Sequence, residues 1–220
     1  MNKSSGLDYT VIDSSSVVVC GIGSCTDERI VIPSVVRGYT VVGVAEKAFA
    51  RCSFIKSVTL PKSVKFIENQ AFAWCSGLTE IKLASVTEIC DRAFMGCDKL
   101  SNIDFGRSLE FIGEKAFAYC PSITSVEIPK SVSRLGSASF EGCRNLCSIS
   151  LPDNVKIIEN GTFYACEKLS KVIMSSSLEY IDEYAFAYCL RISEINIPDK
   201  TVINQDAFFE CSLAKNGKAS

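Results

Sequence analysis

The chain has 220 residues, of which 47% are hydrophobic and 22% charged, a composition typical of a globular protein rather than a disordered one. Its 23 basic and 25 acidic residues leave a net charge of −2, which excludes electrostatic capture of nucleic acid or of an anionic membrane. The sequence contains no histidine, which excludes Ser-His-Asp and Cys-His nucleophile sites and every metal site that needs imidazole. We therefore expect no enzyme activity, no catalytic residue, no metal and no cofactor.

Residues 1–29 are predicted to form an N-terminal tail and a β-hairpin cap. The first ten residues lack the apolar stretch of a secretory signal, and no apolar run in the chain approaches the roughly 18 residues of a membrane span. Two apolar segments, Leu7–Ile12 and Val17–Val19, flank the polar turn Asp13–Ser16, as in a hairpin. Cys20 and Cys25 flank a four-residue loop, where two free thiols are favoured and a disulfide is the alternative.

A repeat of 22 or 23 residues organises residues 30–211. Eight of the 12 cysteines recur at this period, and a phenylalanine lies three residues before each of them. We call the cysteines the cysteine ladder and the phenylalanines the phenylalanine ladder. The pairs are Phe49 and Cys52, Phe72 and Cys75, Phe94 and Cys97, Phe117 and Cys120, Phe140 and Cys143, Phe163 and Cys166, Phe186 and Cys189, and Phe208 and Cys211. A fixed period in this range is typical of a leucine-rich-repeat solenoid.

Each repeat also contains an apolar triplet with the spacing L-x-x-I-x-L, which predicts a short strand with one buried face. The last two positions of each triplet are Val58 and Leu60, Ile81 and Leu83, Ile103 and Phe105, Val126 and Ile128, Ile149 and Leu151, Val172 and Met174, and Ile195 and Ile197. A second apolar pair follows, such as Val64 and Ile67. Identical strands stacked coil upon coil would form a parallel sheet.

The ladder cysteines are predicted to be buried free thiols. Equivalent residues in stacked coils point the same way, so neighbouring Cβ atoms do not converge as a disulfide requires. A zinc site needs four thiolates around one point, whereas a ladder spreads them along a line. Cys147 lies outside the ladder, on the predicted exposed face or rim of the sheet, and has no histidine partner to activate it.

The repeat resembles that of BspA-like leucine-rich-repeat proteins, a group related to the treponemal type, from about residue 7 to 212. The best matches are Phe72 with Cys75, Phe117 with Cys120, and Phe186 with Cys189. The resemblance implies an α/β-type solenoid of about eight coils, with a parallel sheet on the concave side and irregular or short helical turns on the convex side. It also implies a role in binding proteins, since that family includes surface antigens and adhesins.

The outward positions of the predicted concave sheet are the first candidate partner-binding site. They are Ser57, Thr59, Glu80, Lys82, Asn102, Asp104, Ser125, Glu127, Ser148 and Ser150. Asn102, Asp104 and Glu127 give the centre of this face a modestly acidic character. Two interpretations are open, a sheet kept soluble by short polar side chains and a protein-recognition face. The face lacks the Trp, Tyr and Arg residues that dominate interface hot spots.

Two further rows of residues carry apolar or aromatic side chains. The residue before each ladder cysteine nearly alternates between large and small, as in Trp74, Gly96, Tyr119 and Gly142. This alternation indicates that each ring covers the space left by the small residue of the adjacent coil. A second row contains the candidate apolar flank, for which core packing and a contact surface are equally open. Its members are Phe66, Phe111, Ile157 and Tyr180.

The C-terminal coil, around Ile203 and Phe208, has no predicted cap and is a candidate homodimer surface, followed by a polar tail at 212–220. The favoured function is a non-enzymatic surface antigen or adhesin that contacts a host cell-surface or extracellular-matrix protein. It requires a non-classical route to the surface. The alternative is a cytoplasmic scaffold or regulator of an intracellular partner, which reduced cysteines favour.

Overall fold

Each repeat folds into one coil with a three-residue strand, a two-residue strand and a tight turn that contains the phenylalanine and the cysteine. The structure is a computed structural model that describes residues 3–212. The three-residue strands are β3 (Arg29–Val31), β6 (Ser57–Thr59), β8 (Glu80–Lys82), β10 (Asn102–Asp104), β12 (Ser125–Glu127), β14 (Ser148–Ser150) and β16 (Lys171–Ile173). The two-residue strands are β7 (Phe66–Ile67), β9 (Glu88–Ile89), β11 (Phe111–Ile112), β13 (Arg134–Leu135), β15 (Ile157–Ile158), β17 (Tyr180–Ile181) and β18 (Val202–Ile203).

Equivalent strands of successive coils pair in parallel, which gives the solenoid two sheet faces. The first face contains a sheet in the order β10-β8-β6-β3 and a separate sheet in the order β12-β14-β16. The second face contains the two-residue strands, in one sheet that continues to β13 and a separate sheet in the order β15-β17-β18. On both faces the apolar residue of each strand points inward, for example Val58 and Ile67, which are 3% and 0% exposed. Burial of one face therefore fixes the register from coil to coil.

A hairpin covers the first coil. Its strands, β1 (Asp8–Val11) and β2 (Ser16–Gly21), pair antiparallel, as the apolar segments on either side of residues 13–16 predict. Strand β2 then pairs in parallel with β5 (Tyr39–Val44), the first long strand of the second face. A short strand, β4 (Val35–Val36), pairs antiparallel with β5. The hairpin thus occupies the edge of β5 that would otherwise be open to another chain.

The expectation of an α/β-type fold with short helical turns is not supported, because the described residues contain no helix. In every full repeat the residue before the ladder cysteine has a positive φ, for example 64° at Arg51 and 62° at Trp74. A second residue of each turn, such as Gln70 with φ of 58°, is also left-handed. A helix needs consecutive right-handed residues, so two left-handed positions in each turn exclude one.

Two strand expectations also differ from the structure. The second member of the second apolar pair, such as Ile67, lies in a two-residue strand of its own, which the sequence pattern did not indicate. The last triplet, ending at Ile195 and Ile197, forms no strand, so the first face ends at β16. Two residues are too few for an alternating pattern, and only pairing with neighbouring coils makes them strands.

The phenylalanine ladder is the core of the solenoid. Its eight rings stack in sequence with centroid distances of 5.1–5.9 Å and angles of 2–23° between neighbouring planes. Phe49 to Phe186 are fully buried, and Phe208 in the last coil is partly buried. Each backbone N–H along the ladder donates to the residue before the next phenylalanine, for example from Phe72 to the carbonyl of Ala93 at 2.8 Å. Ring stacking and backbone bonding therefore hold the same corner of every coil.

The cysteine ladder runs beside these rings as hydrogen-bond donors. The thiol of Cys75 donates to the carbonyl of Phe49 at 2.9 Å, and the five following thiols repeat the bond at 3.2–3.3 Å. Burial raises the pKa of Cys75 to about 12 and raises the pKa of Cys143 and Cys166 well above its usual value. The eight ladder cysteines are free, as the ladder geometry predicts, and the other four are free as well, including Cys20 and Cys25.

Aromatic rings cover glycines in the same turns, as the alternation of large and small residues predicts. A Cβ atom added to Gly96 would lie 2.3 Å from the Trp74 ring, and one added to Gly142 would lie 2.7 Å from the Tyr119 ring. Both glycines also have a positive φ, 71° and 68°. Each ring thus packs flat on the backbone of the next coil, where only glycine leaves room.

The polar residue that follows each first strand bonds to turn backbone in only some coils. Asn154 donates to the carbonyl of Lys130 at 2.8 Å. The hydroxyls of Ser63 and Ser131 are buried and have no partner among the described residues. A serine side chain is too short to reach the carbonyl that the longer asparagine amide reaches.

We predict that the ladder thiols of the native protein resist alkylation, because the thiolate is the reactive form and burial disfavours it. Iodoacetamide at pH 8, read by peptide mass spectrometry, should modify exposed Cys147 first and should modify Cys120, Cys143 and Cys166 only in denaturant. Cys147→Ser removes the fast site and serves as the control. Rapid native labelling of Cys143 would contradict the buried ladder.

We predict that Gly96→Ala lowers the free energy of unfolding by about 2 kcal/mol or more, because the new methyl group overlaps the Trp74 ring and a left-handed alanine is strained. Gly161→Ala is the matched control, since its φ is also positive, at 61°, but its added Cβ meets nothing closer than 3.7 Å. In urea unfolding, Trp74→Ala should offset part of the cost of Gly96→Ala. Equal costs for the two glycine variants would contradict the ring contact.

Candidate protein-binding surface

The predicted outward positions lie in parallel rows on the first face. Register places Ser57, Glu80 and Asn102 in one row and Thr59, Lys82 and Asp104 in another. Strands β12, β14 and β16 continue the pattern with rows from Ser125 to Lys171 and from Glu127 to Ile173. All of these side chains are exposed or half-buried. The structure thus brings the predicted residues together, but in two blocks.

The two blocks are separated by a gap between β10 and β12. These strands belong to different sheets, and most Cα pairs between them lie more than 8 Å apart. Within residues 3–212, no backbone hydrogen bond joins segments 101–106 and 123–128. A cleft of about 700 Å³ opens there, lined by Ile103, Asp104, Phe105, Arg107, Ser125, Val126, Glu127 and Lys130, among others. The expected continuous sheet is therefore interrupted at its centre.

Charges of both signs line this cleft. Asp104 and Glu127 lie at the carboxyl ends of β10 and β12, and Arg107 and Lys130 lie in the turns that follow. The sequence indicated the acidic pair but not the basic residues, because these lie beyond the strand positions. An approaching segment would meet acidic groups beside the strands and basic groups at one end. Such an arrangement selects both the charge and the direction of a ligand.

The candidate apolar flank lies on the outward side of the second face. Phe66 is half-buried because its ring packs on Gly43, where an added Cβ would lie 2.1 Å from the ring. Phe111 is half-buried under the guanidinium of Arg134, which is 5.5 Å from the ring centroid. Tyr180 is also half-buried, and Ile157 is 48% exposed. Three residues of the row are therefore half-buried, and Ile157 is exposed. The role of the row in binding stays a prediction.

Exposed aromatic rings also line the turns. Trp74, Tyr119 and Tyr188 are 44%, 43% and 37% exposed. Tyr119 donates a hydrogen bond to Glu141, which raises the pKa of this tyrosine to about 12. Tyr188 packs edge-on against Phe209, with ring centroids 5.6 Å apart. These rings support the stacking of the turns and leave one aromatic face in solvent.

The C-terminal coil carries exposed apolar residues. Leu190, Val202 and Phe209 are 50%, 61% and 43% exposed. Phe208 stacks on Phe186 at 5.1 Å and is only partly buried. The use of this coil as a homodimer surface stays a prediction, and residues 213–220 of the predicted polar tail lie outside the described residues.

No cluster of three or more metal-ligating side chains occurs within residues 3–212. The same residues contain no helix with the length and hydropathy needed to cross a membrane. The polar rows of the first face and the central cleft are the surfaces from which we argue binding below.

These features define a leucine-rich-repeat solenoid: short parallel strands, one per coil on each face, around a repeated aromatic core. A family described as BspA type leucine rich repeat region matches residues 42–140 and 110–216, with six copies of its repeat. The chain therefore belongs to the BspA type leucine-rich-repeat family, as its Phe and Cys spacing predicts.

Solved structures of the same type resemble the chain. A leucine-rich-repeat protein from T. pallidum is 33% identical with a TM-score of 0.79, over 90% of this chain and 91% of that one. One from Bacteroides ovatus is 28% identical with a TM-score of 0.70, and the match covers 90% of this chain but 59% of that longer protein. The pneumococcal vaccine antigen PcpA is 22% identical with a TM-score of 0.51, over 91% and 70% of the two chains, and shows the fold alone. No curated protein matches the chain significantly in sequence.

Proposed function

We propose that the protein is a non-enzymatic surface antigen or adhesin that binds a host cell-surface or extracellular-matrix protein. The observation that carries this proposal is the first face, where parallel rows of exposed polar side chains flank a cleft on a rigid solenoid. Stacked repeats bind proteins through such rows because the scaffold holds them in fixed positions. Membership of the BspA type family supports the same role.

The buried cysteines are compatible with a location outside the cell. A thiol reacts as its thiolate, and burial raises the pKa of Cys75 to about 12 and holds Cys120 protonated as well. Of the 12 cysteines, only Cys147 is exposed. The high cysteine content therefore does not require the reducing cytoplasm that the alternative scaffold role would supply.

We predict that the protein is accessible at the surface of the cells that produce it. Intact cells would be treated with a membrane-impermeant amine-reactive biotin reagent, and the captured fraction would be probed for the protein, with a cytosolic protein as the lysis control. Capture without the cytosolic control is the expected result. Abundant protein in the lysate without capture would contradict the surface role and favour an intracellular scaffold.

We further predict that the acidic pair of the first face contributes to partner binding. Replacing both Asp104 and Glu127 by serine should lower the association rate with immobilised matrix proteins several-fold, with a weaker salt dependence, as expected for charges that guide association. The double change of Glu88 and Glu110 to serine is the matched control, because both are exposed and give the same change in net charge. Equal loss in both variants would assign the effect to net charge and not to this face.

A further inference from the structure

The gap between β10 and β12 is confined to the first face. On the second face the same coils stay paired, since β11 bonds to both β9 and β13. In the core, the rings of Phe94 and Phe117 stack 5.2 Å apart, as they do elsewhere in the ladder. The two coils therefore separate at the first face only, whereas their second-face strands and their core rings stay in contact.

A single bulky side chain occupies the open side. Phe105 stands where the other repeats have Leu60, Leu83, Ile128, Leu151, Met174 and Ile197. Its ring is 5% exposed and meets the Phe117 ring edge-on, with centroids 5.6 Å apart and planes at 87°. A ring standing across the stack needs more room between coils than an aliphatic side chain. We attribute the separation of β10 from β12 to this ring.

The gap leaves two strand edges facing each other. Paired strands lie about 4.8 Å apart, so a strand bound between β10 and β12 requires them to lie about 10 Å apart. Most Cα pairs between β10 and β12 exceed 8 Å, and both facing edges lack backbone partners within residues 3–212. The central Ile103 is half-buried, whereas its equivalents Ile81 and Ile149 are buried.

We propose that this gap binds an extended segment of the protein partner as an inserted β-strand. The inference rests on the proposed protein-binding function and specifies how the partner is held. Main-chain hydrogen bonds to both open edges would supply affinity, as in other cases of strand addition. The cleft specifies the side chains of the segment: an apolar residue packs between Ile103 and Val126, and the basic residue that directly follows it lies beside Asp104 and Glu127.

The strand register supplies a probe with this chemistry. In β8, Ile81 aligns with Ile103 and Lys82 aligns with Asp104, so a strand of this sequence in the gap would place its lysine between the two acidic groups. The probe is a fluorescent, end-blocked peptide with the sequence of residues 78–84. Its control is the same peptide with alternate backbone amides methylated. Methylation keeps the side chains but removes the N–H groups that would donate hydrogen bonds to the edges of β10 and β12.

We predict saturable binding of the probe in fluorescence anisotropy, together with slower hydrogen exchange at residues 102–105 and 125–128. The methylated peptide should bind at least tenfold more weakly. Without peptide, the amides of these two segments should exchange faster than those of β6 and β8. Equal binding of the two peptides, or equal protection of all these strands without peptide, would overturn the proposal.

Phe105→Leu tests the cause of the gap. Leucine restores the side-chain type of the other repeats, so the variant should fold, slow exchange at residues 102–105 and lose at least tenfold in probe affinity. Phe54→Leu makes the same change at an exposed residue outside the cleft, and as the matched control it should keep probe binding. Unchanged affinity in Phe105→Leu would overturn strand insertion. Surface biotinylation does not depend on the gap, so failure of the probe and failure of the surface role are distinguishable.

Discussion

The corner of each coil that contains the phenylalanine and the cysteine holds the solenoid together. At this corner the rings stack at 5.1–5.9 Å, and the phenylalanine carbonyl accepts a thiol hydrogen bond from the next coil. The backbone N–H of the phenylalanine donates to that same next coil. These contacts require a nearly constant coil length, since any residue added to a coil must be accommodated within that coil before the next phenylalanine reaches the ladder. This requirement for a nearly constant coil length explains why the sequence repeats every 22 or 23 residues.

Because the corner contacts hold the coils together, strand pairing on the faces can differ from coil to coil. The first face opens between β10 and β12, whereas in the same two coils the rings stay stacked and the second-face strands stay paired. Local opening is tolerated because each coil contacts mainly its neighbours, so strain at one interface does not spread along the solenoid. The same independence leaves the outward positions free of packing constraints. Binding residues can therefore differ from coil to coil on a common scaffold.

The cysteines have a structural role in this arrangement. A small, weakly polar thiol fits beside the phenylalanine ring and donates a second hydrogen bond to a buried carbonyl that already accepts one from a backbone N–H of its own coil. Burial raises the pKa of Cys75, Cys143 and Cys166, and the spacing of the ladder along a line keeps its thiols apart from one another. The cysteines within residues 3–212 are all free. Cys147 differs from the ladder because it is exposed, at the edge of the first face.

The sequence alone determined the features that repeat: the period, the buried ladders, six of the seven first-face strands with their inward residues, and the rings that cover Gly96 and Gly142. These features can be recognised in the sequence because the same residue types recur at the same spacing in several repeats. Only the tertiary structure decided what depends on pairing between coils, namely the non-helical turns, the two-residue strands and the gap. In the sequence Phe105 is one more apolar residue of its triplet. Its effect arises from the edge-on contact with Phe117, and the orientation of a ring is fixed by its packed neighbours rather than by its position in a pattern.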